Sequence, residues 1–201
     1  MYSELKLHQL SPFLGKLKSS IARDLILRNS EEGDLVVDPF SGAGTVPLEA
    51  RILGRNAFSS DCSEYSRVLT MAKLNPPQSV VEARKEMLRI EDEVGLLEKP
   101  DLRSVPSWVR KFFHKETLRE AIKWAEVLRQ AGNEFFFACF LGILHHQRPG
   151  FLSFPSSHLV PYLREKKYPR SDYSELYEYR DVYSRLLAKV ERAMKNYELV
   201  T

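Results

Sequence analysis

Apolar positions in the first third of the chain follow two rhythms in turn. In LKSSIARDLILRNS, Ile21, Leu25 and Ile26 fall at helical spacing, and NSEEGD follows as a stop and a turn. LVV at 35–37 is an unbroken apolar run, the pattern of a strand buried on both faces. TVPLEARILG then places Val46, Leu48, Ala50, Ile52 and Leu53 on a helix that ends at Gly54. RNAFSSD predicts a second strand ending at Asp61, and SEYSRVLTMAKL a second helix halted by NPP. Strand, helix, strand, helix is the alternation of a parallel α/β sheet.

Past Pro77 the rhythm becomes helical. SVVEARKEMLRIEDEVGLLE and ETLREAIKWAEVLRQAG read as charged amphipathic helices, and NEFFFACFLGILHH as a buried helix whose Phe135, Phe136, Phe137 and Phe140 belong to the core. QRPGFLSFPSSHLVPYLREKKYPRSDYSEL reads as an irregular, extended surface segment, and ELYEYRDVYSRLLAKVERAMKNYE as a closing helix. The expected organisation is an α/β part over 1–78 and a mostly helical region over 79–201.

Composition narrows this picture little. The 201 residues are 43% hydrophobic, enough for one sizeable core, and the formal charge of +3 permits a polyanionic partner without demanding one. Cys62 and Cys139 stand outside any zinc or disulfide spacing, so a reducing cytoplasm is expected and no metal. No stretch reaches the roughly 18 apolar residues of a membrane span, so a soluble protein is expected. His145 and His146 point about 100° apart if helical, which disfavours a shared metal and leaves a structural or DNA-facing role.

The chemistry is concentrated between the strands. A strand that runs into DPFSGAG and then a helix makes a crevice at the carboxyl end of a parallel sheet, where open α/β folds bind ligands. Gly42 and Gly44 let the backbone turn tightly with a ligand against it. Asp38 can anchor that turn or reach a polar ligand group, and Asp61, ending the next strand, stands where an acid meets a ribose diol. No Gly-Lys-Ser/Thr follows for a phosphate loop, and the third glycine of the dinucleotide spacing is absent. An adenosine-type ligand without a pyrophosphate remains.

VVDPFSGAGTVPLEARILGRNAFSSDCSEYS closely resembles the cofactor-binding motifs of the amino-group (N6-adenine/N4-cytosine) DNA methyltransferases, and HQLSPFLGKLKSSIARDLI resembles the segment that precedes their loop. The resemblance implies a partial Rossmann-like, S-adenosylmethionine-dependent methyltransferase sheet with a helical extension. It places Asp38, Phe40, Ser41, Gly42, Gly44 and Thr45 on the methionine side of S-adenosyl-L-methionine, Asp61 on the ribose hydroxyls and Cys62 near the adenine, with Phe13 and Lys16 helping to enclose the cofactor.

The family's second motif, Asp/Asn/Ser-Pro-Pro-Tyr/Phe, accepts a hydrogen bond from the target amine and stacks the extruded base. Here the one Pro-Pro pair lies in NPPQ, 14 residues after Asp61, without the aromatic and after a helix. It reads as a helix stop, so no catalytic residue is assigned. The resemblance implies the cofactor-binding part of a DNA methyltransferase, as one subunit of a split enzyme or a piece of a longer one, with a second chain carrying the Pro-Pro-aromatic motif as its partner. An inactive interaction or DNA-binding module and an RNA methyltransferase part are the alternatives. Between Arg148 and Lys195, ten Lys/Arg stand against six Asp/Glu. Arg148, Arg164, Lys166, Lys167 and Arg170 there, interleaved with tyrosines, are the expected DNA-backbone contacts.

Overall fold

A computed structural model describes residues 4–130, 132–144, 152–153, 166–195 and 197. They form α1 (Ser19–Asn29), β1 (Leu35–Asp38), α2 (Thr45–Ile52), β2 (Asn56–Ser59), α3 (Glu64–Leu74), α4 (Val80–Leu96), α5 (Ser107–Arg110), α6 (Lys115–Gln130), α7 (Glu134–Leu144) and α8 (Val182–Met194). The chain divides into two compact units, each discontinuous in sequence. One holds the residues up to Ala83 with Asn133–Cys139 and those from Val190 onward; the other holds Arg84–Gly132 and Phe140–Lys189.

The first unit is built on β1 and β2, which pair in parallel with Val37 opposite Phe58 and Asp38 opposite Ser59. α2 makes the crossover between them. Its Pro47 falls in the first turn, where no intrahelical N–H is needed, and Gly54 ends it at φ 77°. Ser63 caps α3 by accepting from the Ser66 N–H, and Asn75 closes it ahead of the two prolines, as expected of a helix stop.

Burial defines the inner face of α1 and corrects the reading of β1. On α1 the buried face is Ser19, Ala22 and Ile26, whereas Ile21 and Leu25 are half exposed. β1 is not covered on both faces: Leu35 is 63% exposed and Val37 55%, and Phe58, opposite Val37 on β2, is 59% exposed. The apolar run is real, but among the described residues only one of its faces is packed. β2 also ends at Ser59, two residues before Asp61, which leaves that acid on the loop beyond the strand.

A buried hydrogen-bonded pair fixes the start of the chain. His8 and Glu49 are almost fully buried, with His8 Nε2 2.8 Å from Glu49 Oε1, and Arg23 Nη1 lies 3.4 Å from Oε2. Lys16 Nζ donates to the His8 carbonyl at 2.8 Å. The segment before α1 is thereby held on α2, and Phe13 with it.

The second unit is helical. Leu118, Ala121, Trp124 and Leu128 form the buried stripe of α6, and Met87, Ile90, Val182 and Leu186 are buried in the same unit. The closing helix begins at Val182 rather than near Glu175. A single 3-10 turn occupies Ser174–Tyr177, and Asp181 then caps α8 by accepting from the Ser184 N–H at 2.7 Å. The break is useful to the packing, because the Thr117 hydroxyl donates to the Arg180 carbonyl and accepts from its N–H. α7 is the expected buried helix: Phe135 and Phe136 are buried in its first-unit part, where Phe137 is half-buried, and Phe140 is buried in its second-unit part. No described helix is long and apolar enough to cross a membrane.

Burial separates two substitutions in the first unit. His8→Ala removes one partner of a buried pair and should cost about 3 kcal/mol, while Phe58→Thr on the open sheet face should change stability by no more than about 0.5 kcal/mol. Urea denaturation of both variants checks this, and equal losses would contradict the burial described.

Candidate functional site

The loop from Asp38 to Thr45 leaves the carboxyl end of β1 and is tied down at almost every residue. Asp38 Oδ1 accepts from the Phe40 N–H at 3.2 Å, the Ser41 N–H donates to the Ser60 carbonyl at 2.9 Å, and the Gly44 N–H donates to the Ser41 carbonyl at 2.7 Å. Asp61 reaches across from the other strand. Its Oδ2 accepts from the Gly42 N–H at 2.8 Å and its Oδ1 from the Ser63 N–H at 2.9 Å. Backbone hydrogen bonds from Ser63 and Gly42 hold its carboxyl below the usual range, so at neutral pH it is an anion of fixed orientation.

Both glycines adopt positive φ, 48° at Gly42 and 72° at Gly44. A Cβ on Gly42 would sit 3.3 Å from the Phe13 ring, and one on Gly44 would sit 2.8 Å from the Thr70 Cα on α3. The bare Cα faces are thus taken up by the protein itself: Gly44 permits close packing of the loop on α3, and Gly42 admits Phe13. Phe13 in turn stacks on Tyr65, ring centroids 6.0 Å apart, and the Tyr65 hydroxyl lies 2.7 Å from both Ser11 Oγ and the Pro12 carbonyl.

The expected site residues converge on this loop. Ser41, Gly44 and Thr45 are buried in it, Asp38, Gly42 and Asp61 are half-buried, and Phe40, at 86% exposure, and Cys62 stand open beside it. Phe13 meets the loop directly, whereas Lys16 faces the His8 carbonyl. The Thr45 hydroxyl is buried in the first turn of α2 without a hydrogen-bond partner among the described residues. A buried hydroxyl and an exposed aromatic on this loop thus stand beside a carboxylate held in place from the loop after β2.

Of the expected nucleic-acid contacts, Lys166, Lys167 and Arg170 are exposed on the second unit. Arg148 and Arg164, like His145 and His146, lie outside the described residues. Neither described cysteine forms a disulfide, and among the described residues no three His, Cys, Asp or Glu side chains are grouped to hold a metal.

Sequence reasoning missed three residues of α3: Tyr65, Thr70 and Lys73. Thr70 donates to the Ser41 hydroxyl at 3.3 Å, and Lys73, only 2% exposed, donates from Nζ to the Ala43 carbonyl. The signal was available, since Lys73 follows Leu69 by four residues and so shares its buried face. Burial lowers the Lys73 amine to about 7, with repulsion from Lys16 adding and Glu4 opposing. The Lys73 amine is charged in the unfolded chain up to about its ordinary value of 10.5. Between these limits the unfolded state binds the extra proton, so stability should rise with pH.

Residues 18–72 match the profile of a family described as DNA methylase. A stretch of 67 residues is 28% identical to the type II methyltransferase M.MjaII of Methanocaldococcus jannaschii, covering 33% of this chain and 13% of that relative. No solved structure matches the chain.

The Lys73 burial has a direct test. Relative to Lys73→Met, the wild type should gain about 1.4 kcal/mol of stability per pH unit from about pH 7 upward and show a constant difference below it. Urea denaturation across pH 6 to 9.5 measures this, and parallel pH profiles would show that the amine is not held neutral. The matched segment carries the loop, the orienting acid and most of α3, and over it the chain is similar to the DNA methylase family, while spanning only a small part of the relative's length.

Proposed function

We propose that this chain is the cofactor-binding part of a DNA methyltransferase that modifies an exocyclic amine of adenine or cytosine, and that its catalytic motif is supplied by a second chain. The observation that carries the reading is the Asp61 bridge: the acid grips the Gly42 N–H from the far strand, within the stretch that matches the DNA methylase family. S-adenosyl-L-methionine, the cofactor of that chemistry, supplies an electrophilic methyl group when bound.

In this reading Asp38, Phe40, Ser41 and the Thr45 hydroxyl face the methionine part, Asp61 accepts from the ribose hydroxyls with its remaining lone pairs, and Cys62 borders the adenine. Gly42 and Gly44 act by letting Phe13 and Thr70 close on the loop, and Lys16 acts through the His8 carbonyl, holding the segment that carries Phe13.

The open sheet supports the need for more polypeptide in a Rossmann-like fold. The Asn56 and Ser60 N–H groups donate to the Asp34 and Asp38 carbonyls, so the even-numbered backbone groups of β1 face β2. By the two-residue period, those of Leu35 and Val37 face the opposite edge. Among the described residues this edge is unpaired beside an exposed Leu35, Val37 and Phe58, and in this reading a parallel strand with a covering helix completes the sheet. The Pro-Pro-aromatic motif on that added strand accepts from the target amine, whereas NPPQ closes α3 at Asn75 and has no aromatic after its prolines.

Calorimetry with S-adenosylmethionine tests the site. Asp61→Asn cannot accept from both backbone N–H groups and should weaken binding at least tenfold, and Gly42→Val, strained at its positive φ and pressed against Phe13, should abolish it. Unchanged affinity in both variants would remove the assignment. Methyl transfer to DNA should be absent with this chain alone, appear when a chain carrying the Pro-Pro-aromatic motif is added, and be lost with Val37→Asp while cofactor affinity persists. Transfer by the 201-residue chain unaided would refute the divided active site.

A further inference from the structure

We infer that the second unit holds a phosphate of a nucleic-acid strand in a basic cleft bounded by Arg110, His114, Lys115 and Arg170. This deepens the proposed function and rests on its nucleic-acid substrate.

The cleft has a volume of about 350 Å³ and an apolar floor of Leu102, Leu118 and Phe113, the first two buried. Arg110, Lys115 and Arg170 are exposed around it, and none of the three forms an ion pair with another described residue. The acids nearby are already engaged: Asp101 bonds Arg103, and Glu116 bonds Lys99 and Arg119. Asp101 also lies within electrostatic reach of Arg110, but three exposed cations on one concave, partly apolar surface repel one another, and an anion relieves that repulsion.

The donors are also oriented. His114 Nδ1 accepts from the Glu116 N–H at 3.3 Å, which leaves the neutral imidazole with its proton on Nε2, ready to donate. Arg170 stacks over the Tyr177 ring at 4.8 Å, and the Tyr177 hydroxyl donates to the Tyr168 carbonyl at 2.5 Å, so the guanidinium rests on an anchored aromatic. A free mononucleotide would satisfy the cleft alone. A strand is favoured because the positive surface continues past it along Lys166 and Lys167, where Lys167 lies 5.5 Å over the Tyr168 ring, as the backbone of a longer polyanion requires.

The test is fluorescence anisotropy of the 201-residue chain with a labelled 20-base-pair DNA duplex from 50 to 300 mM KCl. Arg110→Ala with Arg170→Ala should weaken binding tenfold or more at low salt and lower the salt slope by about two, while Arg110→Lys with Arg170→Lys keeps the slope. Arg28→Ala on α1, which loses an exposed charge elsewhere, should leave the slope unchanged. The proposal is overturned by an unaltered slope in the double alanine variant, by an equal loss with Arg28→Ala, or by full displacement of the duplex by millimolar adenosine monophosphate, which would make the cleft a mononucleotide site. S-adenosylmethionine calorimetry on the same samples separates the two readings. Cofactor binding with no effect of the cleft variants discards the cleft alone, and a lost slope without cofactor binding retains the cleft and discards the methyltransferase reading.

Discussion

The hold of Asp61 on the Gly42 N–H is the constraint from which the first unit is organised. Asp61 lies on the loop that follows β2, Gly42 on the loop that follows β1, and one carboxylate joins the two ends while its other oxygen accepts from Ser63 at the entry to α3. The loop cannot swing without unpairing a backbone N–H, and a buried donor without a partner costs about 1–3 kcal/mol. Around that hold the remaining contacts fall into place: Thr70 and Lys73 support the loop from α3, and Phe13 closes on Gly42. A ligand meets a surface already ordered, which reduces the entropy lost on binding.

That local order contrasts with the sheet that bears it. Two parallel strands of four residues each cannot bury an apolar face by themselves, and Leu35, Val37 and Phe58 remain in the open. Among the described residues the first unit therefore combines a closely held loop with a sheet open on one face. The same division follows from the proposed chemistry, in which binding the methyl donor and positioning the target base are tasks of separate strands.

How much of this was legible depended on whether the signal was local. The glycine turn, the helix ended by Gly54 and the stop at Asn75 are each written within a few neighbouring residues, because capping and positive φ are properties of short segments. The start of α8 was equally local, since Asp181 precedes Ser184 by three, yet the helix was read as starting earlier, near Glu175. The pairs His8 with Glu49 and Lys73 with Ala43 span 41 and 30 residues, and no spacing rule brings such partners together. The open face of β1 was hidden for a different reason: LVV reads the same whether the sheet around it is complete or not. The cleft of the second unit was only partly visible, because Arg110 and Arg170 stand 60 residues apart and the basic excess was sought in one continuous segment.

The most direct test of the central claim is to follow the backbone amides of the 15N-labelled chain by NMR as S-adenosylhomocysteine, the demethylated cofactor, is added. The account predicts saturable shifts at Ser41 to Thr45 and at Asp61 to Ser63, with the Arg110 to Lys115 amides unmoved. Shifts confined to the second unit, or a loop that does not respond at saturating ligand, would contradict it.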